Sequence, residues 1–143
     1  MISRGNTKRY PSVIGKAGEY RIMSELLLRG YNPAIRAVDD GVDIVLENGK
    51  TIQVKTVGNR YQHYHRKYCI VTFSSASWSK GKQVKHSNGL KADFVIIWTM
   101  LEGKIFIIPA NIIGEKVSIT LGGKKTKYKK YLNNWDLLKE EVV

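Results

Sequence analysis

The chain has 143 residues, 43% of them hydrophobic and 10% aromatic, which is the size of one ordinary domain with enough apolar material for its own core. A single cysteine, Cys69, excludes an internal disulfide and a four-thiolate zinc site, and three histidines leave a mixed site poor in ligands. Lys and Arg number 24 against 12 Asp and Glu, a net charge of +12, so a polyanion is the expected partner, nucleic acid first among them.

Met1–Pro11 reads as a basic arm with Arg4, Lys8 and Arg9, and it lacks the apolar stretch of a secretory signal. The longest apolar runs, such as Phe94–Trp98 and Ile105–Ile108, fall far short of the roughly 20 residues that span a bilayer. No membrane partner is expected, and a cytoplasmic location is. No repeat or Pro-rich linker divides the sequence, so residues 1–143 read as one domain. Ser12 is placed to cap a helix running to about Arg29, in which Ile14, Ala17, Met23, Leu26 and Leu27 recur near helical spacing. Gly30 fits the position just past its end.

Strands are expected at Ala34–Ala37, Val42–Leu46 and Thr51–Val57, with the pair Asn48-Gly49 as a hairpin signal between the last two. Arg60–Lys67 reads as a loop or strand extension, Tyr68–Phe73 as a strand, and Ser74–Lys91 as a long exposed connection. Phe94–Met100 and Lys104–Pro109 form a second strand pair turning at Glu102-Gly103, and Val117–Leu121 a further edge strand. Asn133 or Asn134 is placed to cap a short last helix through Trp135, Leu137 and Leu138. The order predicts an α/β fold, a mixed central sheet flanked by helices.

The stretch richest in chemistry is Gly41-Val42-Asp43 followed by Gln53-Val54-Lys55. Side chains alternate along a strand, so Gln53 and Lys55 lie roughly 7 Å apart on one face. If the Asn48-Gly49 hairpin forms, Asp43 lies near them, and a carboxylate, an amide oxygen and an ammonium converge beside the sheet. Phosphodiester hydrolysis asks for such a group: a hard cation such as Mg²⁺ takes oxygen ligands, lowers the pKa of a bound water, and a lysine positions that water or stabilises developing charge. Glu19 on the first helix is a further oxygen donor. The rival interpretation makes Asp43 a turn residue, Gln53 and Lys55 a solvated strand face, and Glu19 a surface charge.

The pattern Gly15-Lys-Ala-Gly-Glu19, then Gly41-Val-Asp43, then Gln53-Val-Lys55 resembles the PD-(D/E)XK nuclease superfamily. Within it, the branch with intron-encoded homing endonucleases and archaeal Holliday junction resolvases is most similar. The resemblance covers residues 12 to 57 and continues more loosely through Ala92-Asp93-Phe94 and Ile107-Ile-Pro109. It implies a restriction-endonuclease-like core, dependence on Mg²⁺ with Mn²⁺ able to substitute, and cleavage of DNA. It also implies that Asp43, Gln53 and the Val54 carbonyl hold the metal, that Glu19 assists, and that Lys55 acts on the nucleophile or leaving charge. Val42 stands where the superfamily has proline, and Gln53 where it has an acid. Glutamine supplies an oxygen without charge, so weaker metal affinity is expected.

With one such centre per chain and two strands in a duplex, a homo-dimer or homo-tetramer is expected. Phosphate contacts are expected from Arg36, Arg60, Lys67, Lys80 and Lys82, and from Lys124, Lys125 and Lys127 in a late run with Tyr128 and Tyr131 interleaved. His63 and His65, two apart, are placed to face one way on an extended segment and bind a metal or a phosphate, with plain exposure as the rival interpretation; Tyr61, Tyr64, Arg60, Arg66 and Lys67 around them suit a backbone-contacting loop. Two other functions fit the same residues: a DNA-binding protein on this fold whose catalysis is lost, and a basic RNA-associated protein in which the Asp/Gln/Lys set is accidental.

Overall fold

A computed structural model describes residues 10–38, 40–58, 64–65, 68–73, 75–79, 82–86, 89–122 and 127–139. Helix α1 (Tyr10–Leu28) is followed by β1 (Pro33–Ile35), β2 (Ile44–Leu46) and β3 (Thr51–Val57). Then come β4 (Tyr64–His65), β5 (Tyr68–Thr72), β6 (Ser75–Ser79), β7 (Lys82–His86), β8 (Phe94–Thr99) and β9 (Lys104–Pro109). A short helix α2 (Ala110–Ile113), β10 (Ser118–Gly122) and two 3-10 turns, Lys129–Tyr131 and Trp135–Leu138, complete the order. Among the described residues no helix is long and apolar enough to cross a membrane.

The central sheet has the order β1-β2-β3-β8-β9, with β3 and β8 parallel and the other neighbours antiparallel. It is the mixed α/β sheet expected from the sequence. The Asn48-Gly49 hairpin forms: Gly49 has φ +86, a left-handed conformation that glycine adopts at no steric cost. At the head of the sheet Asp93 accepts from the Thr51 amide at 3.0 Å and the Thr51 hydroxyl at 3.1 Å, which sets β3 and β8 in register. Strands β8 and β9 are continuous apolar runs because both faces of the sheet are covered.

On one face, Ile22 and Leu26 of α1 meet Ile44, Ile52, Ile96 and Ile107. On the other, Cys69 and Val71 of β5 and Ile119 and Leu121 of β10 meet Val95, Ile97, Phe106 and Ile108. That second cover is a small antiparallel sheet of order β10-β5-β4, with α2 beside it.

Several expectations change in detail. The first helix begins at Tyr10, because Pro11 suits a first helical turn, so Ser12 lies inside it and caps nothing. Its inward stripe is Ile14, Gly18, Ile22 and Leu26, every fourth residue; Ala17 is exposed and Leu27 is 57% exposed. Each lies about 100° around the helix from an inward residue. Part of the long connection after Ser74 is a hairpin, β6 against β7; its Ser- and Lys-rich strands lack the apolar alternation that announces a strand. The last helix is a single 3-10 turn. Asn134 does not cap it; its side-chain amide donates to the Lys130 carbonyl at 3.2 Å instead. This turn is fastened to the body by Asn48 Nδ2 donating to Leu138 O and Tyr31 Oη donating to Trp135 O, each at 3.1 Å.

The assignment of the inward face of α1 has a direct check by urea denaturation. Leu26→Ala empties a buried position and is expected to cost about 2–5 kcal/mol. Leu27→Ala is expected to stay within about 0.5 kcal/mol.

Candidate active site

Asp43 stands where β2 and β3 part. Its own amide donates to Ile52 O at 2.9 Å, and its carbonyl accepts from the Arg36 amide at 3.0 Å, so its backbone is held from both sides. Upstream the chain leaves the sheet through a loop in which Asp40 accepts from the Val42 amide at 3.3 Å and pairs with the Arg36 guanidinium. Beyond Ile52, β3 has lost β2 as a neighbour, and the Asp43 carboxylate takes its place: Oδ2 accepts from the Val54 amide at 2.7 Å. The amide and carbonyl of one strand residue point to the same edge, so the Val54 carbonyl is directed to the side where Asp43 lies.

A cleft of about 280 Å³ opens at this split, lined by Gly15, Lys16, Glu19, Arg36, Ala37, Val38, Val42, Asp43 and Val54. Glu19 reaches it from α1, with its side chain only 16% exposed and its Oε2 3.0 Å from Lys16 Nζ. What brings α1 close enough is Gly18, the neighbour of Glu19. A Cβ built there falls 1.7 Å from Thr56 Oγ1 and 2.9 Å from Thr56 Cβ, so no larger residue fits without moving the helix off β3. Thr56 Oγ1, beneath it, is buried without a hydrogen-bond partner.

Gln53 and Lys55 share the opposite face of β3 from Val54, as alternation requires, and neither lines the cleft. Lys55 is half-buried. Burial pushes its pKa below the ordinary lysine value, and the nearby Asp43 carboxylate partly opposes that shift. Asp43 therefore lies between two groups, Glu19 and Val54 on the α1 side and Lys55 on the other.

Among the described residues no three His, Cys, Asp or Glu side chains gather as a metal cluster. The donors at the cleft are two carboxylates and a carbonyl, all oxygen, a set suited to a hard cation that keeps several waters.

Of the expected phosphate contacts, Arg36 lines the cleft but is paired with Asp40, and Lys127 is exposed. Tyr128 and Tyr131 are 3% and 7% exposed, so the late basic run is no stacking platform; its tyrosines anchor the chain in the core. Lys82 and His65 lie on strands β7 and β4. Arg60, Tyr61, His63, Arg66, Lys67, Lys80, Lys124 and Lys125 lie outside the described residues, as does the arm with Arg4, Lys8 and Arg9. Lys16 and Gly18 stand within the Gly15–Glu19 pattern, but the sequence reading gave neither a role. That of Lys16 had a visible signal in its i,i+3 spacing from Glu19; that of Gly18 is set by what it touches.

No known family profile matches the sequence, and no curated protein matches it. Among solved structures, a bacterial homing endonuclease, I-Ssp6803I, superimposes with a TM-score of 0.73 at 18% identity, over 93% of this chain and 93% of that one. The chain has a homing-endonuclease fold. On this fold the cleft at the β2–β3 split gathers Glu19, Asp43 and Val54 of the sequence pattern, while Gln53 and Lys55 stay outside its lining.

Two outcomes follow for stability. Gly18→Ala overpacks the helix–strand contact and is expected to cost about 1–3 kcal/mol, with part recovered in the double variant Gly18→Ala, Thr56→Gly; urea denaturation of the four proteins measures it. Lys55 has the opposite sign. The fold favours its neutral form, so the unfolded chain holds more protons below 10.5, and stability rises with pH through the alkaline range toward that value. Lys55→Met is expected to abolish that rise, read as unfolding midpoints at a series of pH values.

Proposed function

We propose that the chain is a divalent-cation-dependent DNA endonuclease of the PD-(D/E)XK type. The observation that carries this is the Asp43 carboxylate at the β2–β3 split, with Glu19 and Val54 on one side of it and the half-buried Lys55 on the other. The residues are those of the sequence motif, and the similar solved structure is that of a homing endonuclease. In this proposal Asp43, the Val54 carbonyl and Glu19 hold Mg²⁺, or Mn²⁺ in its place, from the cleft, and Gln53, which lies outside the cleft lining, reaches the same ion past Asp43 from the other face of β3. The ion, when bound, neutralises phosphate charge and lowers the pKa of a bound water.

The chain's own groups do the rest. The Val54 amide fixes the Asp43 carboxylate in one orientation. Lys55, whose charged form is disfavoured by burial, is suited to take or share a proton at Nζ or to donate to an oxyanion. Gln53 supplies oxygen without charge. Exposed Lys127, Lys129 and Lys130, with the net charge of +12, attract the backbone of DNA. Two copies, as a homo-dimer or within a homo-tetramer, would address the two strands.

The test is a cleavage panel with Mg²⁺ on duplex, four-way junction and single-stranded DNA. Asp43→Ala is expected to abolish cleavage while leaving DNA affinity nearly unchanged, because affinity comes from phosphate contacts by Lys and Arg. Lys55→Met is expected to slow cleavage by about 10²–10⁴-fold. Gln53→Glu should keep activity and Gln53→Leu should lose it. Undiminished cleavage by the Asp43 variant would sink the assignment. A parent protein that binds DNA but cuts none of the three substrates would favour the second reading, a DNA-binding protein silenced at Gln53.

For the basic surface, replacing Lys124, Lys125 and Lys127 together by alanine is expected to flatten the log–log salt dependence of DNA binding by about 0.9 for each phosphate that is no longer neutralised. A salt titration of parent and variant reads this, and an unchanged slope assigns the run to solubility.

A further inference from the structure

Lys16 is the one cation on α1 that lines the cleft. It is paired with a carboxylate that the proposed function needs for another purpose. Its Nζ lies 3.0 Å from Glu19 Oε2, while its side chain remains 54% exposed against 16% for Glu19. The acid is thus fixed at the wall and the lysine reaches it from the lip on a long flexible stem. Arg36, the other cation lining the cleft, is engaged with Asp40, and Lys55 lies on the opposite face of β3. Lys16 is therefore the exposed cation of the cleft that sits on a proposed metal ligand.

A divalent cation held by Glu19 and Asp43 has its two charges offset by two carboxylates. An ammonium that stayed on Glu19 would add an uncompensated positive charge beside it, on an oxygen the cation itself requires at about 2.0–2.1 Å. The two occupants repel, and the weaker and more mobile one leaves. A lysine released at the lip of a cleft that takes a phosphodiester has an obvious acceptor in a backbone phosphate oxygen, which it binds as a point charge.

Resting on the function proposed above, we propose that Lys16 is an exchangeable counter-ion: it neutralises Glu19 while the site lacks a metal, and passes to a DNA phosphate when a divalent cation takes Glu19. Lys16 is a positioning residue in this scheme. It opposes metal binding in the free protein and couples metal binding to DNA binding.

The test uses the full chain and its Lys16→Met and Lys16→Arg variants, with Mn²⁺ alone titrated by electron paramagnetic resonance. Affinity for a duplex oligonucleotide is then measured in EDTA and in Ca²⁺. Lys16→Met is expected to bind Mn²⁺ about 2- to 5-fold more tightly, the range set by an exposed ion pair, and Lys16→Arg to restore the parent value. DNA affinity should fall in Lys16→Met when Ca²⁺ is present and stay unchanged in EDTA, where Lys16 is occupied by Glu19. Unchanged or weaker Mn²⁺ binding by Lys16→Met overturns the exchange, as does an equal loss of DNA affinity with and without Ca²⁺. Asp43→Ala separates the two levels of the argument. If it abolishes Mn²⁺ binding while Lys16→Met changes nothing, only the exchange fails. If the parent binds no Mn²⁺, the metal-dependent reading fails with it.

Discussion

Strand β3 is bonded along its whole length to β8 on one edge, but on the other edge β2 accompanies it only over Thr51 and Ile52. The next amide on that edge, that of Val54, still requires an acceptor, since an unsatisfied amide in a half-buried strand costs about 1–3 kcal/mol. The Asp43 carboxylate meets the requirement. The same bond that completes the sheet also fixes the carboxylate beside the Val54 carbonyl, so a structural need of the strand and the orientation of the candidate site have one solution. Before Asp43, Asp40 pairs with the Arg36 guanidinium and accepts from the Val42 amide, where the chain has left β3.

Helix α1 contributes a second constraint. It lies close over β3 because Gly18 has no side chain, and this closeness brings Glu19 to the cleft with little exposure. The helix therefore both seals one face of the core through Ile22 and Leu26 and carries a charged group to the edge of that core. Lys55 shows the cost of such an arrangement. A lysine half-buried in the sheet weakens the fold at neutral pH, because burial disfavours its charged form.

The basic character of the chain has two distinct origins in space. In the segment after residue 126 the tyrosines point inward and the lysines outward, an ordinary division between an amphipathic turn and water. Around the cleft the positive charges are instead paired, Lys16 with Glu19 and Arg36 with Asp40. The outward lysines and the paired charges around the cleft are thus separate features of one surface.

Much of this was legible in the chain. Apolar runs at Phe94–Thr99 and Lys104–Pro109, the Asn48-Gly49 turn and the alternation of β3 specify a central sheet, because hairpins and buried strands are encoded by local composition. The nearness of Asp43 to β3 was legible for the same reason, since the Asn48-Gly49 turn folds one onto the other. The inward face of α1 was legible only in part: Ile14, Met23 and Leu26 face the core as the spacing suggests, but Ala17 and Leu27 do not, since the helix is apolar on more than one side and only tertiary contact selects Gly18 and Ile22. The second sheet that covers the far face, the hairpin of β6 and β7, and the pairing of Lys16 with a cleft carboxylate were not legible. The sequence by itself determined the strands of the central sheet and its turn through short-range pattern. The tertiary structure alone decided which residues share a cleft, because that depends on where β2 parts from β3 and how near Gly18 lets the helix come, and both are contacts between segments far apart in the chain.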